Sequence, residues 1–237
     1  MPSRYRVATE RTNFAMPESG IGLFPDVGGG WHLPRLPGET GMWLALTGAR
    51  LRGADCLALG IATHFVESGR IAELKDFLIS AHPRLRGDER IKETLSRFQS
   101  KPGPAPIAAQ RADIDRLFAG DSVEAIFAAL AADPSDWARA QLDILKTKSP
   151  QTLKVAFREL RQGAAMTSFT DEMAVEYRIG ARVVRRHDFL EGVRSVIVEK
   201  DNAPRWNPAT LDGVSETMLD EIFAALPADE EWTPPPG

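Results

Sequence analysis

The chain has 237 residues, of which 43% are hydrophobic, and its 29 Lys and Arg against 33 Asp and Glu give a formal net charge of −4. This size allows a buried core, and the charge balance gives no reason to expect nucleic acid or a membrane surface as a partner. The lone cysteine, Cys56, excludes an internal disulfide and indicates a reducing compartment, so a cytoplasmic location is expected.

The first 69 residues contain the strand-like segments of the chain. Polar and apolar residues partly alternate over residues 4–9, and further extended runs cover 13–16 and 61–66. Between these runs, apolar residues followed by glycine predict short helices over residues 40–46 and 54–59. Because a pair of short strands is marginal in water, the sequence predicts either a very small sheet or one whose other strands are absent.

A helical region is predicted over residues 70–226. Three prolines within residues 100–106 interrupt it with a loop, since proline lacks an N–H donor and fixes φ. Helix starts are indicated by the capping-box spacing at Asp121 and by Ser149, which precedes a proline. The predicted helices cover residues 70–80, 88–98, 107–118, 121–132, 134–146, 149–162, 168–186, 189–199 and 215–226.

The most unusual segment, residues 14–30, is rich in glycine and proline and carries two acids. Glu18 and Asp26 each directly follow a proline and have apolar neighbours. Desolvation raises the pKa of a carboxyl group, and a second carboxylate nearby raises one of the two further. Such a pair suits acid–base catalysis near neutral pH. A structural interpretation stays open, because acids in such loops commonly cap helices or stabilise turns.

Other features of the sequence give weaker signals for a site. The glycine run at residues 28–30 could let backbone N–H groups approach a ligand, although a tight entry into a helix is the favoured interpretation. The histidines at positions 32, 64, 82 and 187 have no metal-ligand spacing to one another or to Cys56, so no metal site is predicted. The sequence also has no nucleophile elbow and no phosphate-binding glycine loop.

Two segments of the glycine-rich stretch resemble a known family. Phe-Ala-Met-Pro-Glu at 14–18 and Ile-Gly-Leu-Phe-Pro-Asp-Val-Gly-Gly at 21–29 are similar to the central signature of the 3-hydroxyisobutyryl-CoA hydrolases of the crotonase (enoyl-CoA hydratase/isomerase) superfamily. His-Asp-Phe at 187–189 and the Phe-Pro-Asp segment separate these hydrolases from ordinary hydratases. The likeness continues over residues 33–36, 44–48, 60–66, 149–150, 153–154, 176–178, 187–194, 200–201 and 204–208.

This resemblance implies an α/β crotonase-like fold, a spiral of ββα units when complete. The chain itself is expected to be a few amino-terminal strands followed by a mainly α-helical body. Residues 1–69 would be the carboxy-terminal part of the crotonase core with the catalytic loop, and 70–226 the helical region. The acidic, proline-rich residues 227–237 are expected to be a disordered tail.

The resemblance also implies a reaction and two residues for it. Glu18 and Asp26 would be the catalytic and substrate-binding carboxylates. Glu18 would activate water or attack the thioester carbonyl, and Asp26 would orient the acyl hydroxyl or the water. The implied reaction converts 3-hydroxyisobutyryl-CoA to 3-hydroxyisobutyrate and CoA, as in valine breakdown. CoA is part of the substrate, so no cofactor is expected.

The chain departs from the crotonase pattern in one respect. The two backbone donors that hold the thioester oxygen in this fold are expected upstream of residue 4, so the chain is expected to lack that half of the site. On this view it could be inactive by itself and could self-associate through exposed core surface. Two alternatives are a non-catalytic helical binding or interaction module, and an enoyl-CoA hydratase or isomerase on the same fold.

Overall fold

The structure is a computed structural model that describes residues 3–80 and 87–234. Its described residues form two compact units. One unit is drawn from Met1–Phe14 and Arg50–Arg111, and the other from Ala15–Ala49 and Ala112–Gly237. Both units are discontinuous in sequence and do not coincide with the segments expected from the sequence.

Four two-residue strands lie in the first unit, and they are β1 (Val7–Ala8), β2 (Asn13–Phe14), β3 (Leu51–Arg52) and β4 (His64–Phe65). β1 pairs in parallel with β4, whereas β2 and β3 are antiparallel. Each predicted extended run contains one of these strands, so the small sheet expected from the sequence is present as two minimal ladders. β3 was not predicted, because two residues directly before a helix carry no strand pattern.

Helices make up most of the described residues, and none of them combines the length and apolar character needed to cross a membrane. In chain order they are α1 (Gly29–His32), α2 (Thr40–Thr47), α3 (Gly53–Ala58), α4 (Ile71–Ser80), α5 (Gly87–Phe98), α6 (Arg111–Leu117), α7 (Val123–Ala132), α8 (Asp136–Lys146), α9 (Pro150–Ala165), α10 (Phe169–Val183), α11 (His187–Val193) and α12 (Glu216–Phe223). The mainly helical body expected from the sequence is therefore confirmed.

Local capping explains where several helices begin. Ser149 caps α9 directly before Pro150, as predicted. The capping box predicted at Asp121 is wrong by one residue, because the hydroxyl of Ser122 accepts the hydrogen bond from the N–H of Ala125. The helix predicted over residues 107–118 is divided into a 3-10 turn, Pro106–Ala109, and α6, because the N–H groups of Ala108 and Gln110 each donate to a carbonyl oxygen only three residues earlier.

Each unit has its own apolar core. In the first unit the buried side chains come from α4, α5 and the segment after β4, and they are Val66, Leu74, Leu95 and Phe98. In the second unit Phe24 packs among side chains of α9, α10, α12 and the segment before α12, and these are Val155, Ile179, Val183, Val214, Leu219 and Ile222. Phe24 precedes Asp26 by two residues, so this second core fixes one end of the acid-bearing loop. Cys56 is buried in the first unit, and burial raises the pKa of its thiol to about 11.

Residues of the expected disordered tail contact the helical unit. The Arg178 guanidinium donates to the Glu231 carboxylate at 2.8 and 3.1 Å. The backbone N–H of Leu226 donates to the same carboxylate at 2.6 Å. An ion pair and a backbone hydrogen bond thus join Glu231 to the helical unit, while the disorder expected for residues 227–237 stays a prediction, and residues 235–237 lie outside the described range.

Gly163 allows α1 to pack closely against α9. The sequence predicted that the helix would end before this glycine, but α9 continues through it to Ala165. A Cβ atom built on Gly163 would lie 2.0 Å from the carbonyl oxygen of Gly30. The glycine therefore serves a close contact between distant segments instead of ending the helix.

Replacing Gly163 with alanine should destabilise the chain. The added methyl group must displace the backbone of Gly30, and overpacking of this kind costs about 1–3 kcal/mol even though alanine favours a helix by about 1 kcal/mol. Urea unfolding measures the difference. Gly103→Ala is the control, because a Cβ built there has no atom within 4 Å. A Gly163→Ala variant as stable as the parent would contradict this packing.

Candidate active site

Glu18 begins a 3-10 turn, Glu18–Ile21, that lies directly against α11. The turn ends at Gly22, whose φ of +72° is a left-handed conformation that glycine adopts without strain. A Cβ on Gly22 would lie 2.2 Å from the carbonyl oxygen of Asp188, and one on Gly192 would lie 2.2 Å from that of Ile21. Two glycines on opposite sides of this contact thus allow the turn and α11 to approach each other closely. This close contact fixes the position of the Glu18 backbone.

Asp188 anchors that arrangement from behind. Its side chain is 1% exposed and accepts hydrogen bonds from the Ser149 hydroxyl at 2.5 Å and the Asn207 N–H at 2.7 Å. The contacts join the beginning of α9, the first turn of α11 and the segment after it. The His-Asp-Phe segment that carried part of the resemblance therefore supports the Glu18 turn from inside the fold.

The carboxyl group of Glu18 is placed in a partly apolar environment. Its Oε2 atom is buried and accepts no hydrogen bond from any described residue. Burial raises the pKa of Glu18 to about 7, and the negative charge of Asp26 adds to the rise, while a hydrogen bond from the backbone opposes it. A carboxyl group with this pKa can gain or release a proton near neutral pH.

Asp26 lies at the edge of a cavity of about 260 Å³. Most of the lining is apolar or aromatic and includes Phe24, Met173, Tyr177 and Trp232. Burial also raises the pKa of Asp26 above its ordinary value. The negative charge of Asp26 thus acts on the Glu18 carboxyl group, and Asp26 is the one of the two acids that lines this apolar cavity.

The glycine run after Asp26 is an entry into α1. The N–H of Gly28 donates to Oε2 of Glu176 at 2.9 Å, and the N–H of Gly30 donates to Oε1 at 3.3 Å. The N–H of Gly29 donates to the carbonyl oxygen of Asp26 at 3.0 Å. All three donors are therefore used within the protein, which supports the helix-entry interpretation over the binding of a ligand by these groups.

Three buried acids that were not predicted from the sequence lie beneath this loop. Oxygen atoms of Glu159, Glu172 and Glu176 lie within 4.8 Å of one another. Burial, and then the charges of neighbouring acids, raise the pKa of Glu159 and of Glu172. Each residue is an ordinary acid within a helical pattern, so the only sequence signal was the four-residue spacing that places Glu172 and Glu176 on one face of α10.

Among the residues that the structure describes, these three acids are the one group close enough together to hold a metal ion. Protonation accounts for the group as well, because burial raises the pKa of all three acids and both oxygens of Glu159 and of Glu172 are buried without a hydrogen bond from any described residue. His187 contacts the carbonyl oxygen of Arg205 at 2.9 Å, and His82 lies outside the described residues.

The sequence and the fold of the chain have counterparts among known proteins. A family model described as Enoyl-CoA hydratase/isomerase matches residues 1–223. The chain belongs to the enoyl-CoA hydratase/isomerase family. Two solved structures agree: a carnitinyl-CoA dehydratase from Mycobacterium thermoresistibile (TM-score 0.87, 37% identity) and an enoyl-CoA hydratase from Rhodobacter sphaeroides 2.4.1 (TM-score 0.84, 31% identity). Each comparison covers 98% of this chain and 64% of the other.

Curated members of the family with similar sequences are named 3-hydroxyisobutyryl-CoA hydrolase, mitochondrial. The chain is 44% identical to the one from Xenopus laevis over 227 residues, 46% to that from Gallus gallus over 229, and 41% to that from Homo sapiens over 228. Each match covers 94% of this chain and 58% of the relative. The similarity to this branch of the family, expected from residues 14–29, is confirmed.

These family members contradict the expected cytoplasmic location. Each of the three curated relatives is named as a mitochondrial enzyme. The expectation rested on a single cysteine, which indicates a reducing compartment but does not distinguish one such compartment from another.

Glu18→Gln should stabilise this family member at neutral pH but not in acid. The folded-state pKa of Glu18, about 7, lies above its ordinary value of 4.5, so the folded protein holds this proton more tightly than the unfolded chain. Stability from the group is complete below pH 4.5 and is lost as pH rises toward 7. The melting temperature of the variant should therefore exceed that of the parent by a margin that opens between these values and then stays constant. A margin that does not change with pH would contradict the raised pKa.

Proposed function

We propose that Glu18 and Asp26 are the catalytic and substrate-binding carboxylates of an acyl-CoA thioester hydrolase that acts on 3-hydroxyisobutyryl-CoA. The observation that carries the proposal is the half-buried carboxyl group of Glu18, whose pKa near 7 is raised in part by Asp26. Curated relatives at 39–46% identity, which carry the name of this hydrolase, support the choice of substrate. We propose that this reaction is a step in valine breakdown.

Glu18 has two chemically complete routes to the products. As a general base it takes a proton from water, and the resulting hydroxide attacks the thioester carbon and expels the CoA thiolate, which is then protonated. As a nucleophile its carboxylate attacks the same carbon and expels the CoA thiolate, which is then protonated, to leave an anhydride. Water hydrolyses the anhydride, which releases the hydroxy acid and restores the Glu18 carboxylate. Asp26 accepts a hydrogen bond from the acyl hydroxyl or from the water. CoA enters and leaves with the substrate, so the proposal requires no resident cofactor.

The cavity beside Asp26 fits a short acyl group. Its apolar lining favours a small branched chain, while Asp26 supplies an acceptor at one edge for a hydroxyl on that chain. A substrate without the hydroxyl would leave the partly buried Asp26 carboxylate without a partner, which lowers affinity. The cavity and the acid together therefore favour a hydroxyacyl thioester over a plain one.

The chain spans about 58–60% of the length of the curated relatives that it matches. We therefore propose that the backbone donors for the thioester oxygen belong to the part of the hydrolase that this match leaves out. Each donor of this kind contributes about 10²–10³ in rate, so the chain alone should be a poor catalyst. Apolar side chains such as Leu190 and Val198 are exposed, so we also propose that copies of the chain associate with one another through such surfaces.

Hydration or isomerisation of an enoyl-CoA is the second candidate. It is favoured by the two solved structures named as a dehydratase and a hydratase. Two carboxylates suit this chemistry as well, because one can deliver and the other remove a proton. The two reactions differ in product, since only hydrolysis releases a free CoA thiol.

Glu18→Gln and Asp26→Asn should each lower the hydrolysis of 3-hydroxyisobutyryl-CoA by about 10²–10⁴ in kcat, because each removes a group that acts on the proton or the hydroxyl. The protein assayed is this chain joined to the part of the Xenopus laevis relative that the match leaves out. Release of CoA thiol is followed with 3-hydroxyisobutyryl-CoA and crotonyl-CoA. Glu93→Gln, on an exposed face of α5, is the matched control and should keep full activity. Turnover of Glu18→Gln close to that of the parent would exclude the proposed role.

A further inference from the structure

The backbone directly after Asp26 is held in an unfavourable conformation. Val27 has a φ of +52° although its side chain is β-branched, and Gly28 follows at +86°. A β-branched residue in the left-handed region is a rare outlier that persists only when the surroundings hold it. Val27 is 74% exposed, so packing of its own side chain does not keep the backbone in this conformation. The restraint has to come from elsewhere in the fold.

Glu176 supplies contacts on the far side of that turn. Its side chain extends from α10, is 4% exposed, and receives N–H groups from Gly28 and Gly30, one on each carboxylate oxygen. Burial raises the pKa of Glu176, whereas the hydrogen bonds from Gly28 and Gly30 oppose the rise and favour its ionised form. Two hydrogen bonds to one carboxylate fix direction as well as distance. The first donor, Gly28, lies two residues after Asp26. The Glu176 carboxylate therefore fixes the position of the backbone that directly follows Asp26.

The groups that face Glu176 are mostly acids. Oxygen atoms of Glu172, one turn earlier on α10, and of Glu159 on α9 lie within 4.8 Å of an oxygen of Glu176, and both oxygens of Glu172 are buried without a hydrogen bond from any described residue. The charge of Asp26 also acts on Glu176, and that of Arg35 acts on Glu172. Both oxygens of Glu159 are buried and accept no hydrogen bond from any described residue. Buried acids this close together repel one another when charged, so ionising all three would carry a large free-energy cost.

We propose that Glu176 is the positioning residue that fixes the loop carrying Asp26, and that Glu159 and Glu172 support it as neutral, protonated acids. The inference rests on the proposed function for its catalytic meaning. It divides three similar side chains into one whose negative charge is required and two whose neutral form is required. Loss of the Glu176 carboxylate releases the turn at Val27, so Asp26 no longer has a fixed orientation toward the substrate.

Glutamine substitutions distinguish these roles because glutamine keeps the shape of glutamate. At position 176, the amide NH₂ replaces one acceptor, so Glu176→Gln loses one of the two contacts and weakens the other. At position 172, glutamine keeps the shape and the neutral state of a protonated glutamate. Amide hydrogen exchange of Gly28 and Gly30 is measured in this chain, with the Gly48 amide, bonded to the Leu44 carbonyl at 2.9 Å, as an internal reference.

We expect Glu176→Gln to speed exchange of both glycine amides by at least about tenfold, while Glu172→Gln and Glu159→Gln change it by less than about threefold. Unchanged exchange in Glu176→Gln would overturn the positioning role. A divalent cation bound at one per chain and lost in Glu159→Gln, measured by elemental analysis of the purified protein, would overturn the protonated supports. If Glu176→Gln does not fold, Glu176→Asp takes its place, because the shorter side chain keeps the charge but cannot span both donors.

Turnover separates positioning from simple stability. In the hydrolase assay above, Glu176→Gln should lower kcat by about 10–100-fold with a change in KM below about threefold, because positioning acts on the reacting geometry more than on CoA binding. Glu172→Gln should leave kcat within about threefold of the parent. An inactive parent protein would defeat the proposed function and leave the exchange result standing, whereas a fast Glu176→Gln variant would defeat the inference alone.

Discussion

The candidate site depends on the carboxylate of Glu176, a residue that lines the cavity together with Asp26 and accepts hydrogen bonds from the backbone of the loop after Asp26. Glu176 accepts hydrogen bonds from the N–H groups of Gly28 and Gly30, which hold the loop after Asp26 against α10. Gly28 and Glu176 are 148 residues apart in the sequence. The same loop packs against α9 because Gly163 has no side chain to keep it away. Contacts with the core of the second unit therefore determine the position of Asp26. The local sequence contributes only a loop that can adopt the required conformation.

The site also shows why such an arrangement limits stability. Burial raises the pKa of Glu18, Glu159 and Glu172, which means that the fold bears a free-energy cost whenever one of them ionises. For Glu159 and Glu172 protons relieve the cost. For Glu18 the cost persists at neutral pH, and it is the same property that makes the group useful for proton transfer. A site of this kind is expected to trade stability for reactivity.

Local signals in the sequence predicted the parts that local chemistry controls. Ser149 before Pro150 indicated the start of α9, and the apolar neighbours of Glu18 and Asp26 indicated raised pKa values for both carboxyl groups. Long-range contacts were not predictable in this way. Gly163 was mistaken for a helix end because a glycine needed for a distant backbone looks like one that stops a helix. Glu176 was overlooked because its burial depends on which face of α10 meets the loop.

Titration of the Glu18 carboxyl carbon by ¹³C NMR reports the ionisation of that one group in the folded chain, and the proposed chemistry depends on that ionisation. Selective labelling of glutamate, with assignment from the Glu18→Gln spectrum, identifies the resonance. We expect a midpoint near pH 7, and in Asp26→Asn a midpoint displaced downward because one negative charge is gone. A midpoint close to 4.5, the ordinary value for glutamate, would contradict a buried pair of interacting acids and with it the proposed chemistry.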